Sequence, residues 1–342
     1  MTAQVAFLFP GQGSQAIGMG ADVYAASAAG RQVFETVDEA LGFSLSTLCF
    51  QGPDETLRET INAQPAIVTV SLALLAALQE TLSPHNSSWS NPLVPSYTAG
   101  HSVGEYAALV AADALDLKSA AMLVRERGRL MHHEGSVCPG GMAAVIGMDA
   151  EPLQAICQEA TSQALASQEA GEHPGRGRVI IANFNAPGQI VISGEQHALN
   201  LAMELAKTRG AKRVIPLAVS GAFHSPVMQP AASGLAQVIA TTQVQDARIP
   251  IISNITAQPL TGAQDIREEL AEQISSSVQW IRTIEYLVQA GVSVFIEIGP
   301  GQALTGMIKR ISKGVTTVSI SSMVDIEKAS ASLREIGLLN EI

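Results

Sequence analysis

The sequence predicts an α/β fold. A large subdomain carries a mostly parallel sheet, and a ferredoxin-like (βαββαβ) small subdomain is inserted in it. Three observations point there. The run Val5–Phe9 is short, continuous and apolar, and it ends at Pro10-Gly11, as a strand buried on both faces would. Strand and helix patterns alternate through residues 1–137 and again through 219–342. Between them, residues 138–218 read as β-α-β-β-α-β, the split βαβ pattern.

Each element follows from its local pattern. Helical periodicity covers residues 27–41 and 54–82, and the apolar stretch from Ala66 to Leu78 is too short to span a bilayer. Residues 83–95 are rich in Ser, Asn and Pro and read as a loop. A strand at 96–100 runs through a glycine-flanked turn into a helix at 104–112, and another helix covers 117–134. In the small subdomain the strands are 142–148, 178–183, 190–193 and 212–217, with helices at 150–170 and 195–209 and a flexible loop at 171–177. The large subdomain resumes with a strand at 250–254, helices at 263–276 and 279–290, a strand at 293–298, and helices at 302–312 and 325–338.

Composition bounds the function. The 342 residues include 47% apolar side chains, enough for a sizeable core and too many for a disordered chain. With 20 basic and 31 acidic residues the net charge is −11, which disfavours a broad nucleic-acid-binding face. Three cysteines without a Cys-x-x-Cys pair support neither a disulfide framework nor a zinc site, so a reducing cytoplasm is expected. No basic residue precedes Arg31, so the N-terminus does not read as a signal peptide, and the plain Met start favours a free-standing enzyme. We expect no metal, no membrane partner and a monomer.

The strongest chemical signal is Gly100-His101-Ser102-Val103-Gly104. It fits Gly-x-Ser-x-Gly, with a strand before and a helix after, and makes the large subdomain α/β-hydrolase-like. A sharp turn of this kind lifts the serine hydroxyl into a cleft. The backbone N–H of the next residue, Val103, then faces the substrate carbonyl oxygen. A serine nucleophile needs a base, usually histidine. Among seven histidines, His85 and His173 sit in polar loops and His197 starts a surface helix. His132 and His133 are adjacent on a helix and diverge, and His101 points away from the nucleophile. His224, in a small-residue loop just after a strand, remains, although a packed loop histidine fits that position equally well.

The segments FPGQGSQ (9–15), GHSVGEY (100–106), RGRLM (127–131), NAPGQIVISG (185–194), GAFHSP (221–226), SVQW (277–280) and EIGPGQALTG (297–306) occur in this order. Together they resemble the malonyl-CoA:acyl carrier protein transacylases of fatty-acid and polyketide synthesis, over nearly the whole chain. The resemblance implies Ser102 as the acylated nucleophile and His224 as its base. It implies the backbone carbonyl of Gln279 as the group that orients the histidine, so no triad carboxylate is needed. The N–H groups of Gln12 and Val103 would form the oxyanion hole. Arg127 would bind the free carboxylate of malonyl-CoA, a task suited to a planar guanidinium. Arg125 and Arg129 should face elsewhere. Phe223, Gln64 and Met131 would line the acyl pocket, with Phe223 leaving little room for an α-methyl branch.

The reaction so implied is ping-pong transfer of malonyl from CoA, through malonyl-Ser102, to the phosphopantetheine thiol of acyl carrier protein. No bound cofactor is required. Docking an acidic carrier on an acidic chain calls for a local basic patch, with Lys207, Arg209, Lys212 and Arg213 as one candidate and Lys309, Arg310 and Lys313 as another. The alternative is a serine hydrolase or thioesterase acting on acyl thioesters, which shares the elbow. A dinucleotide-binding oxidoreductase would use Gly11-Gln12-Gly13-Ser14-Gln15-Ala16, but the acidic residues that follow, Glu35 and Asp38, fall in a helical pattern instead of at a strand end.

Overall fold

The computed structural model describes residues 4–83, 93–167 and 173–339. The loop expected at 83–95, with His85, and the start of that expected at 171–177 therefore lie mostly outside the described residues.

The large sheet contains β1 (Gln4–Phe9), β2 (Tyr97–Gly100), β7 (Ile251–Ile252), β8 (Pro259–Leu260), β9 (Val292–Ile298) and β10 (Thr316–Ile320). Its order is β10-β9-β1-β2-β7-β8, parallel throughout except for β8, which runs against β7. The apolar run of β1 is continuous because both sheet faces are covered. Val5, Phe7 and Phe9 pack into the core on one face, and Ala6 and Leu8 into a second cluster on the other. The helix Thr60–Leu82 is apolar on nearly every side for the same reason. By length and composition it could cross a membrane, yet 89% of its most apolar window is buried inside the protein.

The small sheet contains β3 (Gly140–Ile146), β4 (Val179–Ala186), β5 (Gln189–Glu195) and β6 (Arg213–Pro216). Its order, β4-β5-β3-β6, is antiparallel and matches the ferredoxin-like arrangement. Helices Ala150–Ser167 and Gln196–Thr208 supply most of the remainder of its separate core. Two contacts join this sheet to the large subdomain close to the Gly-x-Ser-x-Gly turn. Val278 exchanges backbone hydrogen bonds with β4, donating to the Ala182 carbonyl and accepting from the Phe184 N–H. Asn185 bonds the His101 ring at 2.8 Å.

The structure differs from the sequence reading in several elements. The helix expected at 54–82 is broken at Glu59, whose extended ψ of 130° separates Asp54–Arg58 from Thr60–Leu82. The helix Gln229–Thr241 and strand β10 were not anticipated. Strand β10 is a sheet edge on which only Ile320 is fully buried, so its apolar alternation is weak. The helix expected at 263–276 stops at Glu272 and tightens into a 3-10 turn, Gln273–Ser275. That change of winding shapes the candidate site.

Candidate active site

Strand β2 ends at Gly100, and the helix Gly104–Ala111 begins four residues later. Ser102, between them, has φ of 53°, a left-handed conformation unusual for a side-chain-bearing residue. Glycines on both sides permit the bend. A Cβ on Gly100 would lie 2.0 Å from the backbone of Gly104, and one on Gly104 would lie 2.2 Å from the Phe9 carbonyl oxygen. Asn254, just past β7, braces the turn from behind. Its Oδ1 accepts the Ser102 N–H at 2.8 Å, and its Nδ2 donates to the Gly100 carbonyl at 2.8 Å.

His224 also has a positive φ, 57°, and is buried. Its Nε2 lies 2.7 Å from Ser102 Oγ. Its Nδ1 lies 3.0 Å from the carbonyl oxygens of both Gln273 and Ser276. Carbonyl oxygens only accept, so Nδ1 carries the proton and Nε2 presents its lone pair to the serine hydroxyl. Burial, then the Arg127 charge, lowers the imidazole pKa to about 3, so the ring is held neutral.

The group expected to orient the histidine, the Gln279 carbonyl, does not do so. It accepts the Thr283 N–H at 2.9 Å as the first bond of helix Trp280–Gln289. The 3-10 turn upstream leaves the Gln273 and Ser276 carbonyls facing the ring instead. Gln279 holds the site indirectly, its N–H donating to the Asn254 carbonyl at 2.8 Å.

Arg127 is only 1% exposed. Its Nη1 donates to Gln64 Oε1 at 2.6 Å, and its Nη2 donates to Gln273 Oε1 at 2.7 Å and to Ser102 Oγ at 3.1 Å. Its Nε has no partner among the described residues, and the guanidinium lies 5.8 Å from the centre of the Tyr106 ring. All three acceptors are neutral, so a buried cation sits beside the serine hydroxyl without a hydrogen-bonded carboxylate. Burial lowers its pKa, with Tyr106 and Glu105 opposing that effect. Arg125 turns instead to the Ile61 carbonyl and Asn62 Oδ1, and Arg129 pairs with Glu126 on the surface.

Gln64 is fully buried and divides its amide between Arg127 and the sulfur of Met131, which its Nε2 approaches at 3.3 Å. It thus fixes Arg127. Phe223 and Met131 are buried in the same cluster as Val103. The Gln12 side chain donates to Thr60 Oγ1 at 3.0 Å. Neither the Gln12 nor the Val103 backbone N–H is taken by an acceptor among the described residues, which leaves both available to an oxyanion. The loop carrying Gln12 meets the elbow directly, since a Cβ on Gly11 would lie 2.6 Å from the His101 carbonyl oxygen.

A family model described as acyl transferase domain matches residues 6–329. This chain belongs to the acyl transferase family. A malonyl CoA-acyl carrier protein transacylase of Bacillus subtilis is 44% identical over 97% of this chain and 98% of its own length. One from Staphylococcus aureus is 38% identical over 95% and 98%. Among solved structures, the acyl-carrier-protein S-malonyltransferase of Bartonella henselae superposes with a TM-score of 0.88 at 38% identity, covering 98% of this chain and 99% of that one. A malonyl-transacylase in complex with a type II PKS acyl-carrier protein gives 0.86 at 36% identity, covering 96% and 100%.

Three side chains of this acyl transferase site escaped the sequence reading. Glu105 stood in GHSVGEY, a carboxylate inside an otherwise apolar helix, and that mismatch was a usable signal. Asn254 ends the Ile-Ile-Ser-Asn run that begins as β7, at the strand end where turn residues are common. Gln273 had no signal, because its segment reads as a continuing surface helix. Three of the basic candidates are engaged within the chain. Arg310 is used internally, donating to Gln189 Oε1 and the Pro187 carbonyl, while Lys207 and Arg209 pair with Glu204 and Glu159. His173, expected in solvent, bonds Glu134 at 2.7 Å.

Proposed function

We propose that this acyl transferase moves malonyl groups from malonyl-CoA to the phosphopantetheine thiol of an acyl carrier protein. Ser102 Oγ attacks the thioester carbonyl as its proton passes to His224 Nε2. The negative charge on the carbonyl oxygen is received by the N–H groups of Gln12 and Val103; losing one such donor typically costs about 2.7–4 kcal/mol. The tetrahedral adduct expels CoA, whose sulfur takes the proton from His224, and malonyl-Ser102 remains. The carrier thiol then gives its proton to His224, attacks the ester, and regenerates the serine. The thiols come with the substrates, so the chain itself needs no bound cofactor.

The observation that carries the malonyl reading is Arg127, buried with neutral acceptors only and reaching to 3.1 Å from the nucleophile. Burying a guanidinium with only neutral hydrogen-bond acceptors is costly; Glu105, behind Gln273, offsets part of that, and a ligand carboxylate beside Ser102 compensates it directly. A thioesterase has no need of that clamp. The names borne by the relatives support the same substrate and carrier.

The deciding experiment is intact-protein mass spectrometry after brief exposure to malonyl-CoA, methylmalonyl-CoA and acetyl-CoA. A malonyl adduct that is absent in Ser102→Ala and discharged by holo carrier protein supports the reading. Rapid discharge to water without carrier favours the thioesterase. We take the working form as a monomer, since one chain supplies every group named in the site, and the cytoplasm as its location, on its three free cysteines.

A further inference from the structure

We propose that Glu105 is a positioning residue that sets the orientation of the Gln273 side-chain amide, and through it the alignment of Arg127. The inference rests on the malonyl-transfer reading above. Glu105 is 1% exposed, on the first turn of the helix that follows the nucleophile. Its Oε1 accepts the Asn254 N–H at 3.1 Å, and its Oε2 accepts a short hydrogen bond from Gln273 Nε2. Neither partner is a cation, so this is a carboxyl kept in the core by two neutral donors. Burial, and then the charge of Glu269 on the far side of the Asn254 loop, push its pKa well up.

Gln273 is where the site's parts meet. Its backbone carbonyl accepts from His224 Nδ1, its Oε1 accepts from Arg127 Nη2, and its Nε2 also donates to the Ser102 carbonyl at 3.1 Å. A side-chain amide can turn over, exchanging its oxygen and nitrogen. If the Gln273 amide turned over, an NH2 group would face Arg127, donor against donor, and the guanidinium would lose an anchor. The acceptor supplied by Glu105 forbids that flip. Its second oxygen fixes Asn254, whose own amide braces Gly100 and Ser102. Glu105 therefore touches no reacting atom, yet acts on the carboxylate clamp and the elbow.

The test is Glu105→Gln, nearly the same in shape but with one oxygen replaced by a donor. Either Asn254 N–H or Gln273 Nε2 must then face an NH2 group. Acylation of Ser102 is followed with malonyl-CoA and acetyl-CoA, alongside the melting temperature. Small misplacements of catalytic groups cost up to about 100-fold. We expect a loss on that order for malonyl, with raised KM and lowered kcat, and about tenfold for acetyl, so the malonyl-to-acetyl ratio falls about tenfold. Wild-type protein lacking a malonyl preference would overturn the substrate reading instead. With that preference present, a Glu105→Gln protein that keeps its ratio overturns the positioning role, whether both rates are kept or both fall equally. Should Glu105→Gln fail to fold, Glu105→Asp, which keeps both acceptors one methylene short, is read by the same ratio. A lowered ratio supports the role, and an unchanged one overturns it.

Discussion

His224 Nδ1 and the Ser276 carbonyl oxygen are 3.0 Å apart, and the Gln273 carbonyl lies at the same distance on the same nitrogen. Two dipoles occupy the place where a hydrolase triad has a full negative charge. They fix the tautomer as firmly as a carboxylate would. They stabilise the imidazolium less, and with Arg127 nearby the ring stays neutral to about pH 3.

A pH dependence follows, with a definite sign. An ordinary histidine base is lost as pH falls through about 6.5. Here the acid limb of kcat/KM for Ser102 acylation should lie well below that, because the free enzyme's His224 refuses the proton. Folding stability should also fall on the acid side, but at higher pH. Below about pH 6.5 the unfolded chain binds a proton at this position that the folded chain does not, so the contribution present above that pH is lost as pH falls toward 3. Stopped-flow acylation and denaturant titration at matched pH values check the two halves separately. An acid limb at the ordinary imidazole value would contradict the first.

Arg127 variants should separate acyl groups. Removing a hydrogen bond to a charged group costs about 1.5–3 kcal/mol, and a bidentate clamp makes two. Arg127→Ala should slow malonyl acylation at least 100-fold on that basis while changing acetyl acylation by a few-fold at most. Arg127→Lys keeps the charge but not the fork, and should recover little of the malonyl rate. Equal losses on both thioesters would remove Arg127 from substrate binding.

The elbow should not tolerate even one added carbon. A Gly104→Ala methyl would meet the Phe9 carbonyl oxygen at 2.2 Å, backbone against backbone, with no flexible side chain to yield. Overpacking of this kind typically costs about 1–3 kcal/mol and here should reach the upper end or beyond. Urea denaturation measures it. Gly306→Ala, where a Cβ meets nothing within 4 Å, is the control and should change stability little.

Residues that act through their own side-chain chemistry, with a local pattern around them, were legible in the sequence. Ser102 stood out by its flanking glycines and by the switch from strand to helix. Arg127 could be told from Arg125 and Arg129 by motif position, and the helix turns those two elsewhere. What was not legible was backbone chemistry at a distance. The orienting carbonyls belong to Gln273 and Ser276 because a helix tightens to a 3-10 turn there, and any residue type supplies a carbonyl. Placing that role on Gln279 failed for the same reason, since its carbonyl is consumed by the helix it starts. The βαββαβ order survived the move to three dimensions because β3, β4 and β5 are apolar runs with buried side chains, whereas edge strand β10 fully buries only Ile320.

Phe223 should set how strictly a branched acyl group is refused. It precedes the base directly, is 4% exposed, and shares a buried cluster with Val103 and Met131. The ring packs over Gly221, where a Cβ would lie 3.1 Å from it. A pocket of fixed size gains about 1–3 kcal/mol of discrimination per methylene, so malonyl should be preferred over methylmalonyl by about 10- to 200-fold, without full exclusion. Phe223→Ala should erase most of that preference, chiefly by raising the methylmalonyl rate. The ratio of the two adducts on Ser102, read by mass spectrometry under competition, measures it directly. A ratio near one in the unaltered protein would take Phe223 out of the pocket.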